Sequence, residues 1–317
     1  MFDRMYSGFY VWGIGIVVVL GLFLVFMLAG WPGPINNCVW GSDKQLPESA
    51  LVAPPPHASA QAQKNYQLEL KKIAADNTCY CEAFSVSDAA QGKPGVRQKQ
   101  NTWFNLYAIV TSFIVAWSVY WSRRDGAQNL IGSNTLFPDV YIFAVLFLGL
   151  GSMWFHGAIK EWGGITDDLS MYVFVDFLIV YTLRRLWISI PEWVMWVGYI
   201  LTVALVTGLG EYLSVNNPDA PISAILILVQ VLLCYLPLQI VLWIRQSERP
   251  TWRWWSGVGC IGVATFFWIF SQTGKFMCSP TGPQPHGLLW HPLAGAMAVF
   301  VYFYWRCDTS DDVTAFA

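Results

Sequence analysis

Eight apolar stretches recur along this chain, and each is long enough, or nearly so, to cross a lipid bilayer. They run roughly over Gly8–Ala29, Trp103–Trp121, Asp139–His156, Asp168–Leu183, Trp193–Leu213, Ile222–Ile244, Trp254–Phe270 and Gly287–Trp305. A span needs about 20 mostly apolar residues to cross a hydrocarbon layer of about 30 Å. In lipid the backbone must satisfy its own hydrogen bonds, so a spanning stretch is a helix unless strands close into a barrel. The predicted fold is therefore all-α: a polytopic membrane helix bundle with a seven-span core and an additional N-terminal transmembrane helix. Composition agrees, with 12% charged residues in a chain of 317, about half the usual share for a soluble domain. The fourth stretch is short and carries Asp176, which predicts that it packs inside the bundle.

Charge sets the orientation. Arg4, Arg123, Arg124, Arg184, Arg185, Arg245, Arg249, Arg253 and Arg306 all fall on one side when eight spans alternate. By the positive-inside rule that side is cytoplasmic, so both termini are cytoplasmic and segment 31–101 is exoplasmic. The first apolar run exceeds the 7–15 residues of a signal-peptide core and reads as an uncleaved anchor, with a cleaved signal peptide as the alternative. The division is then an N-terminal anchor at 1–30, an exoplasmic flexible linker at 31–78, a seven-span domain at 79–306 and a cytoplasmic tail at 307–317. Within the linker, Ala53-Pro54-Pro55-Pro56 and its Ala-rich neighbour lack a packing pattern, and Tyr66–Ala75 fits a short surface helix. The net charge of −2 supplies no basic field for nucleic acid.

Cys38, Cys79, Cys81 and Cys278 fall on the exoplasmic side, where disulfides persist. The Cys79-x-Cys81 pair is too tight to close on itself. A bridge from this pair to Cys278, with Cys81 as the partner, would clip the exoplasmic segment to the mouth of the bundle; four free thiols are the alternative.

The ionisable residues near the spans are few and gathered. Of four histidines, His57 lies in the linker. His156 closes the third span, whereas His286 and His291 open the eighth. Alternating spans bring these three to one exoplasmic depth, together with Asp167 and Asp168 at the start of the fourth. Ser152 lies four residues before His156 and shares its helical face. Three imidazoles with an open position match a catalytic zinc site, and a carboxylate outside the ligand set can orient and deprotonate a water. Polar groups merely lying at the interface are the competing reading.

Ser152-Met153-Trp154-Phe155-His156, then Asp167-Asp168, then His286-Gly287-Leu288-Leu289-Trp290-His291 resemble the alkaline ceramidase family, within the CREST group of seven-span membrane hydrolases. His156 and Asp167 are eleven residues apart, as in that group. Cys81-Glu82 and Asn101-Thr102-Trp103-Phe104-Asn105 resemble two further elements of the family, so the likeness covers about residues 79–306. The resemblance implies a zinc-dependent lipid amidase that cleaves ceramide to a sphingoid base and a fatty acid, with a zinc-bound hydroxide attacking the amide carbonyl. It implies His156, His286 and His291 as zinc ligands, Asp167 as general base and Ser152 as oxyanion stabiliser or supporting hydrogen bonder. Asp168 is a competing base or a helix cap, and Asp176 a helix–helix hydrogen bonder or supporting partner. Glu82 is the remnant of a calcium site whose other acids are thinned. Residence in the endoplasmic reticulum or Golgi, with the site on the lumenal side, follows from the family.

The departures are specific. The last two family histidines are four apart; here they are five apart and Pro292 follows. On a straight helix five residues turn about 500°, so the rings would diverge by about 140°. His286 is therefore expected before the helix, which would begin near His291. The alternatives to the hydrolase are a zinc-bearing seven-span receptor of the progestin and adiponectin receptor type, or a catalytically inactive relative.

Overall fold

The structure, a computed structural model, describes residues 2–36, 59–65, 78–217, 221–246, 249–272, 275–279 and 282–307. Tyr66–Ala75, His57 and most of the expected linker lie outside the described residues, as does the tail after Cys307.

Among the described residues, eight long helices form the bundle. They are α1 (Ser7–Ala29), α2 (Tyr107–Arg124), α3 (Phe137–Ala158), α4 (Glu161–Leu186), α5 (Glu192–Asn216), α6 (Ile222–Gln246), α7 (Trp252–Phe270) and α8 (His286–Arg306). Six of them, all but α4 and α7, are long and apolar enough to cross a membrane, α2 together with the short helix Lys99–Phe104 that precedes it. At 26 and 19 residues, α4 and α7 have comparable lengths. Three aspartates and two arginines dilute α4, which packs against α3, α5 and α6. The chain is an all-α polytopic membrane bundle.

Small residues decide where the helices approach most closely. A Cβ on Gly8 or Gly15 of α1 would meet Ile142 or Leu146 of α3 at 2.8 and 2.7 Å. At one end of α1, the Arg123 guanidinium donates to Asp139 at 3.0 Å and to the Ser7 hydroxyl at 2.6 Å. At the other, Gly30 (φ 111°) breaks the helix. Trp31 then folds beneath it, its backbone N–H on Gly92 O and its indole N–H on Gly95 O. The first span is thus fastened to the bundle at both ends.

Between the site and the arginine-rich end lies an aromatic core of Tyr141, Phe177, Tyr181, Tyr302 and Trp305. Aromatic pairs at these separations add to the apolar packing of their faces.

Two helices depart from simple α geometry. In α6, Gln230–Tyr235 is a π turn, and in α8, His286–Trp290 is another. A proline follows each closely, Pro237 and Pro292. Proline offers no N–H and its ring crowds the carbonyl four residues back, so a widened turn relieves the conflict. The expectation that α8 starts near His291 is corrected accordingly: the helix runs unbroken from His286, in π form for its first turn. The start of the fourth helix is corrected as well. It begins at Glu161 rather than Asp168, because Ile159 (φ 50°) ends α3 and Lys160 is extended.

Candidate metal centre

His156 stands in the last turn of α3. The carbonyls of such a turn have no partner within their helix; here Gln98 N–H bonds His156 O and Arg97 N–H bonds Gly157 O, each at 3.0 Å. The same loop supplies the side chain that fixes the imidazole. Gln98 Nε2 donates to Glu82 O at 2.8 Å, which leaves Gln98 Oε1 as acceptor for His156 Nδ1 at 2.6 Å. This assigns the proton to Nδ1, so Nε2 carries the lone pair, buried and without a hydrogen-bond partner.

His286 and His291 come from the π turn of α8. Its hydrogen bonds run i→i+5, which brings residues five apart onto one face and cancels the divergence a straight α-helix would impose. Gly287 makes room: a Cβ there would lie 2.8 Å from Asn101 Oδ1 and 3.1 Å from its Cα. The short helix Lys99–Phe104 therefore abuts the turn directly. Gln100 ties the approach to α8 to this helix through Gly282 O and Gln284 N–H.

The three rings form a triangle with centroids 5.4, 5.6 and 4.7 Å apart. All three residues are buried, and one ligand nitrogen from each lies within 4.8 Å of the others. His286 Nδ1, like His156 Nε2, is buried with no hydrogen-bond partner, whereas Asn105 Nδ2 approaches His291 Nε2 at 3.4 Å. Buried polar nitrogens without a partner are costly, and a bound cation relieves that cost. The residues present fit a metal ion. Among the described residues this is the one group of histidine, cysteine and carboxylate side chains gathered in this way.

Asp167 stands on α4 and is not in the ligand group. Ser152 on α3 is its hydrogen-bond partner. Asp168 does not cap the fourth helix, which starts two turns earlier; its carboxylate accepts from Ser223 of α6 at 2.6 Å. Asp176 accepts from Gln230 Nε2 at 2.6 Å, a hydrogen bond between α4 and the π turn of α6.

Cys81 and Cys278 form a disulfide. It anchors a two-residue hairpin, β1 (Thr78–Cys79) and β2 (Glu82–Ala83), against the segment that leads to α8. The Glu82 carboxylate accepts Gln100 N–H and Asn101 N–H, both at 2.8 Å, and so caps the first turn of helix Lys99–Phe104. Both of its oxygens are engaged, and among the described residues no acidic cluster joins it. Burial raises its pKa, against those backbone N–H groups, which lower it. Lys160, whose amine donates to Gly33 O at 2.7 Å, is shifted down by burial and by Arg97.

Sequence reasoning missed Gln98, Asn105, Tyr80 and Tyr107. Tyr80 stacks on His286 with ring centroids 4.5 Å apart, and Tyr107 on His291 at 6.3 Å. Asn101 and Asn105 stand in a sequence motif that carries no assigned role. No family model matches this chain, and no curated protein matches it.

Proposed function

We propose that this chain is a zinc-dependent hydrolase of a membrane lipid amide, with ceramide, cleaved to a sphingoid base and a fatty acid, as its substrate. The observation that carries the reading is the convergence of His156, His286 and His291 on one buried point; Asp167, hydrogen-bonded to Ser152 four residues before His156, is the carboxylate outside that set. Neutral imidazoles without carboxylates favour zinc over the hard cations magnesium and calcium. When bound, zinc supplies a Lewis acid and lowers the pKa of a bound water to about 7.

The chain's own residues supply the rest. Gln98 holds His156 in the tautomer that presents Nε2. Asp167 would accept a proton from the attacking water and return it to the leaving amine, the two halves of general acid–base catalysis. Ser152 orients that carboxylate through its hydrogen bond. Its hydroxyl is also a donor suited to the oxyanion of the tetrahedral stage. The five-residue spacing, which argues for an inactive relative on a straight helix, does not do so on a π turn. The arginine distribution supports an exoplasmic centre opposite cytoplasmic termini, and the family resemblance supports the lumenal face of an endoplasmic reticulum or Golgi membrane.

The test is zinc content and ceramide cleavage of the purified chain and of His291→Ala in detergent. Stoichiometric zinc and amide cleavage, both lost in the variant, are expected. Zinc without cleavage of any ceramide would move the assignment to a zinc-bearing receptor, and a wild type free of zinc would sink the metalloenzyme.

A further inference from the structure

His156 stands in the last turn of α3; at the first turn of the same helix, the arginine-rich end of the bundle, lies a cavity of about 640 Å³. Arg4 and Ser7 line it from the N-terminal segment, Arg123 from the end of α2 and Asp139 from α3. Glu192, Trp193 and Trp196 of α5 complete the wall. All of these belong to helix ends, so the cavity lies at the level where lipid headgroups meet a membrane bundle. Leu136 and Trp193 on its lining are 56% and 69% exposed, which leaves its mouth open to the surroundings of the bundle.

The four charges of the lining divide into a closed pair and an open one. Arg123 and Asp139 form an ion pair at 3.0 Å. The other Arg123 donors go to Ser7 Oγ and to the carbonyls of Arg4, Ser133 and Thr135. Arg4 makes one hydrogen bond, from Nη1 to Asn134 O at 2.9 Å, and Glu192 accepts one, from the Trp196 indole at 3.0 Å. Neither has an ion-pair partner among the described residues. Arg4 keeps further donors and Glu192 its second carboxylate oxygen. The lining thus offers one cation and one anion, with two indole rings, to whatever fills it.

We propose that this cavity binds the headgroup of an aminophospholipid of the phosphatidylethanolamine type, with Arg4 on the phosphate and Glu192 on the ammonium. The inference is independent of the histidine centre. Basic pockets between membrane helices hold anionic headgroups; here the Glu192 carboxylate changes the preference. A purely anionic headgroup would meet that carboxylate uncompensated, and a choline headgroup has no N–H to donate to it. A guanidinium matches phosphate in its fork of donors, and an indole attracts a cation held over its ring. Arg123 and Asp139 together add no net charge.

Native mass spectrometry of the full chain in detergent tests this with three phospholipids of identical acyl chains and ethanolamine, choline or glycerol headgroups. The ethanolamine lipid is expected to bind about tenfold tighter than the other two, the scale of one charge-assisted hydrogen bond. Glu192→Gln keeps an acceptor for Trp196; it should bring the ethanolamine and choline lipids level and strengthen the glycerol lipid. Arg4→Gln should weaken the ethanolamine and choline lipids alike. Arg123 is left intact because it ties α1 to α3. Equal binding of the three lipids to wild type, tightest binding of the glycerol lipid, or an ethanolamine preference that survives Glu192→Gln overturns the proposal, and the first two outcomes need no variant. Glycerophosphoethanolamine, the headgroup without acyl chains, serves as competitor. Its displacing the lipid at equal concentration would give the cavity to a soluble phosphodiester and overturn the lipid assignment.

Discussion

Gln98 Oε1 and His156 Nδ1 meet at 2.6 Å, and the other end of the same amide donates to Glu82 O. A single side chain therefore fixes a ring of the candidate metal centre and the hairpin beside it. Hydrogen bonds of this kind to a ligand imidazole set its tautomer and basicity, and their loss costs about 10–100-fold in metal affinity.

Gln98→Ala is accordingly expected to weaken zinc binding by about 10–100-fold while the bundle stays folded. Competition against a chelator of known affinity measures this. Unchanged affinity would show that the Gln98 contact does not support the metal centre.

The π turn makes a sharper statement about spacing. Inserting one alanine between Leu288 and Leu289 rotates His286 by about 100° relative to His291, at 3.6 residues per turn. Metal binding should be lost, with helical content retained by circular dichroism. Retained stoichiometric metal would mean that His286 is not a ligand.

Much of the bundle is legible in the sequence because lipid imposes a simple rule, long apolar runs folded as helices, and the parity of those runs brings His156 to the depth of His286 and His291. The contacts that turn three histidines into a centre are harder to read. The widening of α8 results from a contest between Pro292 and the helix ladder, and a pattern based on 3.6 residues per turn cannot anticipate who wins. The start of α4 was misplaced because Glu161–Asp168 is polar, and hydropathy does not register a helix that continues beyond the apolar layer. Gln98 and Tyr80 are positioned by loop backbone: the N–H of the first bonds the last turn of α3, and the second stands at positive φ. Neither property leaves a trace in residue type.

Deeper in the bundle, Gln230 Nε2 and Asp176 Oδ1 are 2.6 Å apart. Hydrogen bonds between membrane helices average about 0.6 kcal/mol and reach about 1.7, while a buried carboxylate left without its partner costs about 1–3 kcal/mol. Gln230→Leu is thus expected to destabilise the chain by about 1–3 kcal/mol, more than Asp176→Leu, which removes the polar group altogether. Thermal unfolding in detergent compares the two, and the reverse order would contradict the assignment of this pair as an interhelical link.

Glu82 yields a pH prediction whose sign follows from its surroundings. Burial holds the folded-state pKa above its ordinary value despite the opposing N–H groups of Asn101 and Gln100. The folded chain then keeps this proton more tightly than the unfolded chain does. The associated stability is fully present below the unfolded carboxylate pKa, about 4.3, and is lost as pH rises through the folded value. Glu82→Gln removes the titration but forfeits one acceptor for the helix Lys99–Phe104, which lowers its stability by a roughly constant amount. The gap between wild type and Glu82→Gln should therefore shift in favour of the variant as pH rises from about 4 through the weakly acidic range, and level off above the folded pKa. Melting temperatures of both proteins across that range decide the matter: a gap that stays flat, or moves toward wild type, would show that the backbone N–H groups outweigh burial at this carboxylate.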